Sequence, residues 1–394
     1  MRPATNNKLT IVLCAALILL VSTPSVFAYP PDNAAVLYYR ACHWYTADET
    51  MENALRDLLK GSIEVDEKIK KFVGKNRNAI DFAIDAADVP NCDWGLDYSK
   101  GISMVFLPLG TFRKMGWVIL GEAEILAGEG DYKSALEHCL SVKKMARHLS
   151  ETPLVTFLVA VALDDMAENA IRDIMAAMPG DLEIFNWFRN QLVDLASRPL
   201  SVKAAVSRET KVALVDMRVE MIDGFLEILS DEAFAPPAIR KLSIERIRAA
   251  DEQFFENNKD YYKKCMADIQ TAMDLPYPQA YAKLEQLCEK PQKEITENPD
   301  AILTAILLPA LGKVHSITVK AETLSNAVRA AVEIYIIKAK TGRLPDNLPM
   351  GLPKDLFSGK DFEYIKTSDG FILRCQDKDL LKDKIHEYKF KVKR

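Results

Sequence analysis

Residues 152–178, TPLVTFLVAVALDDMAENAIRDIMAAM, contain the pattern that decides the fold class of this chain. Thr152 is a residue type that caps helices, and Pro153 suits the first helical position. Pro179 and Gly180 follow directly and would end the helix. Apolar residues recur at three- and four-residue spacing, at Val155, Leu158, Val159, Ala162, Met166, Ala170 and Ile174. This spacing predicts a helix that packs an apolar stripe into a core.

The same helical period extends over most of the chain. Prolines punctuate it, as at Pro236, Pro276 and Pro291. The pattern predicts further helices at about 46–61, 63–87, 106–128, 131–149, 182–196, 202–229, 238–274 and 279–289. We therefore expect a mainly α protein.

Two neighbouring helical segments carry a short motif. Trp117, Leu120 and Gly121 are followed by Gly130-Asp131-Tyr132 and by Ala135. This motif resembles one tetratricopeptide (TPR) unit, a helical hairpin of about 34 residues. A stable array needs about three such repeats, and the sequence has one clear copy. The resemblance therefore implies a multi-helix domain of antiparallel, TPR-like hairpins and not a repeat array.

The character of the sequence changes near residue 301. A long apolar helical pattern, Val314 to Lys340, is followed by a proline-rich connector at 344–353. Short strand candidates come next, at 362–365, 371–374 and 388–392. This order predicts a small α+β module in which one long helix packs against about three antiparallel strands.

Four segments of this module resemble a known family. They are Leu308–Lys313, Gly342–Pro345, Phe357–Lys360 and Ser368–Phe371. Together with the long helix they resemble the helix and sheet of a type II secretion pseudopilin. The long apolar N-terminal spine that bears a glutamate in pseudopilins is not found in this sequence. The resemblance therefore implies a fold for the module and not assembly into a pilus.

A second resemblance covers much of the chain. Asn33–Tyr39, Cys92–Asp97, Phe357–Gly359 and Asp369–Phe371 are similar to a group of uncharacterised secreted proteins typical of planctomycete bacteria. That resemblance implies that the protein is exported and has the architecture of this group, and it implies no particular activity.

The N-terminus predicts export. Arg2 and Lys8 precede the apolar run Leu9 to Val21, and Val26-Phe27-Ala28 places small residues where a signal peptidase cleaves. We expect cleavage after Ala28 and a periplasmic or extracellular mature protein. An uncleaved signal anchor is the alternative, although the run is short for a membrane span of ~20 residues and Pro24 interrupts its end.

These patterns divide the chain into a signal peptide at 1–28, a helical domain at 29–300 and an α+β module at 301–394. The 51 basic and 56 acidic residues give a formal net charge of -5. An acidic exported protein is not built to bind nucleic acid through a basic stripe. No membrane span is expected after signal cleavage, since the late apolar stretch Ala301 to Leu311 is too short and contains Pro309.

The cysteines that follow the signal permit disulfides in an exported protein. A fold-back at the turn 275–278 would bring Cys265 and Cys288 to similar heights, so we predict that they pair. Cys42 with Cys92 is a second predicted pair. Buried free thiols are the alternative, above all for Cys139 and Cys375. The sequence has no CxxC motif, which leaves a redox centre or zinc ribbon without support.

Three acidic residues, Asp164, Asp165 and Glu168, stand close together in the apolar helix quoted first. Asp164 and Glu168 are four residues apart, so they share a face and could act as an acid/base pair or bind a cation. The favoured alternative is that Glu168 pairs with Arg172 one turn later. Asp164 and Asp165 would then face water or a basic neighbouring helix.

A loop offers a second candidate site. Asp93, Trp94 and Asp97 surround a glycine and could form a pocket for a sugar or a peptide. The favoured alternative is that Trp94 plugs the helical core, with Cys92 bridged and Asp97 capping a turn.

The sequence lacks the common motifs of zinc hydrolases, serine hydrolases and nucleotide-binding sites. The histidines form no HxxH or HExxH spacing, and there is no GxSxG, GxxxxGK[ST] or GxGxxG motif. We expect no metal site and no cofactor, and no residue is assigned as catalytic beyond the candidates above.

Three functions follow as hypotheses. The first is a non-enzymatic binding or scaffolding protein of the cell envelope that holds a protein partner in a helical groove. The second is a hydrolase of an envelope or extracellular polymer, using Asp164 with Glu168 or Asp93 with Asp97. It predicts a concave pocket in which those carboxyls converge with raised pKa values. The third is an accessory subunit of a secretion machine, from the C-terminal resemblance.

Overall fold

A computed structural model describes residues 32–104, 108–230, 237–308 and 311–392. The predicted signal peptide, residues 1–28, lies outside the described residues. The described chain is mainly helical and carries a small three-stranded antiparallel sheet near its C-terminus. The fold class predicted from the sequence is confirmed.

Short helices form the N-terminal part. Three of them begin at a side chain that accepts a hydrogen bond from an otherwise free amide of the first turn, namely Asn33, Asp48 and Asp66. Their bounds, with that of the fourth, are α1 Ala34–Trp44, α2 Glu49–Leu58, α3 Glu67–Lys75 and α4 Arg77–Asp88. A loop and the 3-10 turn Tyr98–Ser103 lead from α4 to the centre of the molecule.

Long helices form the centre. They are α5 Leu109–Glu129, α6 Tyr132–Leu149, α7 Leu154–Ala177 and α8 Leu182–Ala196. Gly130 ends α5 with a φ of 90°, a left-handed conformation that favours glycine. The Asp131 side chain then caps α6 by accepting from the Ser134 amide. The hairpin expected from the TPR-like motif is therefore formed by α5 and α6.

The buried face of α7 differs from the predicted one. Val155 and Leu158 are 51% and 37% exposed. The residues that face the core include Phe157, Val161, Leu163, Asp164, Ala167, Glu168 and Ile171. The predicted stripe is wrong in its N-terminal half, because α7 carries apolar residues on both faces and its true core face includes two acids.

The next part of the chain is divided more finely than predicted. Its helices are α9 Val202–Asp216, α10 Ile222–Ser230, α11 Pro237–Arg248, α12 Glu252–Ala272 and α13 Tyr277–Glu294. The continuous helix expected at 202–229 breaks at Arg218, whose backbone is extended. The one expected at 238–274 breaks before Asp251, which caps α12.

The C-terminal part has the predicted composition of one long helix and three strands. Its elements are α14 Ile302–Leu307, α15 Leu311–Thr341, β1 Glu363–Lys366, β2 Gly370–Arg374 and β3 Glu387–Lys391. The strand order is β1-β2-β3, antiparallel throughout. Phe371 stacks on Phe390 across β2 and β3, and its ring lies 5.7 Å from that of Tyr335 on α15. The sheet therefore packs on the long helix.

Helix α15 lies in the middle of the molecule and contacts α7, α8, α13 and β3. Side chains from both predicted parts of the chain belong to one contiguous hydrophobic core. By length and hydropathy the segment Pro299–Thr341 could cross a membrane, yet 69% of its most apolar window is buried inside the protein. Core packing accounts for its apolar character.

Candidate functional site

The two acids predicted on one helix face lie at the packed seam between α6 and α7. Asp164 is 2% exposed and Glu168 is fully buried. The ammonium of Lys143, a buried residue of α6, contacts both: its Nζ lies 2.9 Å from Asp164 Oδ1 and also bonds Glu168 Oε1. Arg147, one turn further along α6, bonds Asp164 as well. We call Lys143, Arg147, Asp164 and Glu168 the buried charge cluster.

The predicted partner of Glu168 is wrong. Arg172 donates to Asn169 Oδ1 at 3.0 Å and to the Lys389 carbonyl, instead of pairing with Glu168 one turn earlier. Glu168 pairs with Lys143 because both are enclosed in the seam, where an unpaired charge would be costly. Asp164 does face a basic neighbouring helix, as expected.

The cluster holds Asp164 in its ionised form. Burial alone would raise the pKa of this carboxyl, but the positive charges of Arg147 and Lys143 bring its pKa below the ordinary value. A general acid needs a raised pKa, and both carboxyls of the pair are already engaged by cations. Asp164 and Glu168 therefore do not form the acid/base pair that the hydrolase hypothesis requires.

A cavity of about 300 Å³ opens beside the cluster. Arg147 and Asp164 form its inner end, and the last turn of α8 with the residues after it forms an apolar wall. The opposite wall comes from α15. The lining residues are Arg147, Asp164, Ala196, Pro199, Leu200, Glu322, Ser325, Asn326, Arg329 and Leu356. We call this space the charged cavity.

Glu322 and Arg329 bring two further ionisable groups into the charged cavity. Burial and the negative charge of Asp164 raise the pKa of Glu322 to about 7, against the opposing effect of Arg147. Burial also lowers the pKa of Arg329, which the charge of Glu168 partly restores. Glu322 thus changes its charge near neutral pH, inside a cavity that two arginines line.

Several polar atoms of this region lack a hydrogen-bond partner. Within the described ranges, Arg147 Nε and Glu168 Oε2 are buried and unpartnered. Arg329 donates to Asn326 Oδ1 at 3.5 Å, which is a long hydrogen bond. Buried polar groups are nearly always paired in native proteins, so this region retains capacity for further hydrogen bonds.

A second cavity, of about 140 Å³, lies on the other side of Arg329. Its walls are α8, α15 and the connector that precedes β1. It is lined by Arg189, Leu192, Val193, Arg329, Val332, Glu333, Gly351, Leu352 and Pro353. Arg329 lines both spaces, so the two cavities adjoin at this residue, along the contact of α8 with α15. We call the pair of cavities the α8–α15 groove, and its inner end is the charged cavity, which Arg147 and Asp164 of the buried charge cluster line.

The second pair of predicted acids does not converge on a pocket. Asp93 is exposed and accepts from the Gly95 amide at 2.9 Å. Asp97 is exposed and caps the 3-10 turn, where the hydroxyl and amide of Ser99 lower the pKa of its carboxyl. The two carboxyls therefore hold separate turns, and the raised pKa expected for a hydrolase is not found at Asp97.

Trp94 plugs the core, as the favoured alternative predicts. It is 7% exposed, its ring stacks on Tyr38 at 5.4 Å, and its indole N–H donates to the His148 carbonyl at 2.8 Å. A cavity of about 330 Å³ touches this loop, lined among others by Asp93 but not by Asp97. The loop is anchored to the core by its aromatic residue.

Neither predicted disulfide is formed, since Cys265, Cys288, Cys42 and Cys92 are free thiols in the structure. Helices α12 and α13 do fold back on one another, but the Cys265 thiol lies against Tyr261 and the Cys288 thiol against the backbone of α15. Cys92 lies at the Ala35 amide. Cys42 is seven residues further along α1, about 10 Å away, which is beyond the reach of a disulfide. Cys139 and Cys375 are buried free thiols.

Sequence reasoning missed the basic side of the site and the contribution of α15. Lys143 and Arg147 continue the three- and four-residue spacing of Leu136 and Leu140, which are buried residues of α6. The sequence does contain a signal for this pairing. A lysine stands at a core position of one helix, and the next helix has acids at core positions, which together indicate a buried ion pair. Glu322 and Arg329 give no such signal, because only the packing of α15 brings them to α6 and α7.

The side chains around the charged cavity offer charge and hydrogen bonds to a ligand. Among the residues that the structure describes, no group of three or more His, Cys, Asp or Glu side chains is placed to hold a metal ion. No protein-family model, no curated protein and no solved structure matches this chain.

Proposed function

We propose that this chain is an exported, non-enzymatic binding protein of the cell envelope that holds a protein partner in the α8–α15 groove. Export rests on the pattern of residues 1–28. The observation that carries the binding role is the groove itself: a depression with an apolar middle and incompletely partnered charges at its inner end.

The walls of the groove are suited to a polypeptide. Val193 gives it apolar surface, since this side chain is 56% exposed, whereas Leu192 and Val332 line the cavity from buried positions. Arg189 and Glu333 form a long ion pair of 3.9 Å at its edge. An apolar centre with a polar rim is the usual composition of a protein interface, and arginine is common among the residues that dominate binding.

The groove is also preorganised. One of its walls is α15, most of whose residues are buried, and α8 packs directly against that helix. A site on packed helices loses little conformational entropy when a partner binds. This supports binding without a large rearrangement of the protein.

A hydrolase remains the second candidate because of Glu322. Its raised pKa of about 7, beside an ionised Asp164, sets two carboxyls of different protonation at one cavity. Such a difference is typical of acid/base pairs. We rank it below binding because Asp164 is engaged by both Lys143 and Arg147.

Affinity purification tests the proposed function. Tagged mature protein, residues 29–394, is compared with Val193→Glu, which places a charge in the groove, and with Ile63→Glu. Ile63 is 42% exposed in a turn outside the groove and serves as the matched control. We expect a stoichiometric partner from native envelope extracts with the unchanged protein and the control, and at least a tenfold loss with Val193→Glu. Equal capture by all three, or no partner for any, would contradict the proposal.

A further inference from the structure

We propose that the charged cavity binds a peptide carboxylate, the C-terminal carboxylate of the partner's chain, between Arg147 and Arg329. This assignment rests on the proposed function, because it names the chemistry of the partner that the α8–α15 groove takes.

The two guanidinium groups come from different helices and line the same space. Arg147 uses one nitrogen for Asp164 and the Lys143 carbonyl, while its buried Nε has no hydrogen-bond partner among the described residues. Among the residues that the structure describes, the one hydrogen bond of Arg329 is the long one to Asn326 Oδ1. Guanidinium groups with N–H groups to spare are the side chains that bind carboxylates in fixed geometry.

The charges of the region also leave room for one anion. Lys143, Arg147 and Arg329 are positive, and Asp164 and Glu168 are the two negative partners buried with them. Glu322 is the third carboxyl, and it loses its charge when it takes up a proton near neutral pH. In that state one positive charge is not balanced within the cavity, and a ligand carboxylate would balance it.

The lining of the cavity suits a chain end. Two guanidinium groups line it, and they can bind the carboxylate of a chain end, whereas the backbone of an internal segment carries no charge. Leu200 and Leu356 offer an apolar wall to the last side chain, and Ser325 and Asn326 offer hydrogen bonds to its amide. The rest of the groove, beyond Arg329, would hold the preceding residues.

Glu322 makes the binding dependent on pH. The charged groups around it are Asp164 and Glu168 on α7, Lys143 and Arg147 on α6, and Arg329 on α15. When Glu322 is ionised it supplies the negative charge that the ligand would bring, so the two compete. Affinity for a carboxylate should therefore fall as the pH rises through about 7.

The test uses two probes, N-acetyl-alanyl-leucine and its C-terminal amide, titrated into the mature protein by calorimetry. At pH 6 we expect the acid to bind at least about tenfold more tightly than the amide, since only the acid makes charge-assisted hydrogen bonds. The difference should vanish in Arg329→Gln and in Ser325→Glu, which places a carboxylate in the cavity. It should persist in Arg56→Gln, the matched control, which removes an exposed arginine of α2 outside the groove. The acid should bind more weakly at pH 8 than at pH 6, and Glu322→Gln should remove that dependence.

Three results would overturn the carboxylate assignment. They are equal binding of acid and amide, binding of neither probe, and preference for an amide with a glutamate side chain, N-acetyl-glutamyl-leucinamide, over the free acid. If the protein still captures its partner in a manner that depends on Val193, the proposed function stands while the carboxylate assignment fails. Tight binding of the free acid with no capture of a protein partner would refute the protein-partner function, and with it the assignment of the carboxylate to a partner's chain end.

Discussion

Two buried carboxyl sites of this protein are partnered in different ways. Asp379, in the loop before β3, accepts at Oδ1 from the amides of Leu381 and Lys382, and His386 Nε2 lies 3.0 Å from its Oδ2. Glu168, in the buried charge cluster, is bonded by Lys143 at one oxygen, and its other oxygen has no partner within the described ranges. A carboxyl whose two oxygens are both hydrogen-bonded, which we call saturated, is fully used by the fold. A carboxyl near a cavity that has an unpartnered oxygen can still change its hydrogen bonds when a ligand binds.

Asp355 repeats the saturated arrangement. It accepts from the Phe357 amide at 2.9 Å, from the Ser358 hydroxyl at 2.6 Å and from the Gln376 amide at 2.9 Å. Like Asp379, it fixes the loops around the sheet. Asp355 and Asp379 therefore specify the shape of that region, while Asp164 of α7 lines the charged cavity.

The largest effect is expected from removing the lysine of the cluster. Lys143→Met leaves two carboxyls in the seam without their common cation and should lower the free energy of unfolding by about 3–5 kcal/mol. Urea denaturation measures this. The neighbouring Lys144→Met removes an exposed pair with Asp88 and should cost less than about 1 kcal/mol. Equal effects of the two changes would show that the cluster is not buried as described.

A smaller loss is expected at the saturated site. Asp379→Ala leaves the amides of Leu381 and Lys382 without their acceptor and should cost about 2–3 kcal/mol. Asp377→Ala, an exposed neighbour, is the control. Partner capture by the folded protein should be unchanged by Asp379→Ala. If Asp379→Ala lost partner capture at a temperature where it remains folded, the conclusion that Asp379 serves the fold and not binding would be contradicted.

The pH dependence of stability distinguishes the cavity from the sheet region. The pKa of Glu322 is raised in the folded state from 4.5 to about 7, so the folded protein binds the proton more tightly than the unfolded chain. The stability that this proton gives is present below about pH 4.5 and is lost as the pH rises to about 7. Between pH 5 and pH 8, the free energy of unfolding of Glu322→Gln should therefore rise by roughly 1–2 kcal/mol relative to that of the unchanged protein. Urea denaturation at the two pH values checks this, and parallel curves would contradict it.

The smallest effect is expected from the Tyr277 hydroxyl, which hydrogen-bonds at the saturated site. The Tyr277 hydroxyl donates to Asp379 or Ser316 and accepts from the Leu380 amide at 3.0 Å. Tyr277→Phe removes these bonds and keeps the ring, at a cost of about 1 kcal/mol, because Asp379 keeps its other partners. Thermal melting would show it, and a loss comparable to that of Asp379→Ala would mean that Tyr277 organises the loop.

Local signals predicted much of the fold. Gly130 and Asp131 mark the turn between α5 and α6, and the Ser368-Asp369-Gly370 turn separates β1 from β2 as expected. Each of these features depends on residues close together in the sequence. The breaks at Arg218 and before Asp251 contain no proline or glycine, so the helical pattern there runs on without a visible stop.

The site could be predicted only in part. Asp164 and Glu168 were found because two acids stand out in an apolar helix. Their burial could not be deduced, because Val155 and Leu158 make the opposite half of α7 equally apolar over its first turns. Their partners lie on α6. The rest of the cavity comes from the end of α8 with the residues after it, from α15, more than a hundred residues later, and from Leu356. Such long-range contacts are decided by packing, which no local pattern reports.

The most direct test of the account is hydrogen exchange of residues 29–394, alone and with the partner that the proposed function predicts in envelope extracts. We expect added protection in residues 189–200 and in the connector at 349–356, which form the walls of the α8–α15 groove. No change is expected in the loop at 377–386, where the carboxyl site is already saturated. Protection confined to that loop, with the groove unchanged, would contradict the central claim that the groove is the binding site.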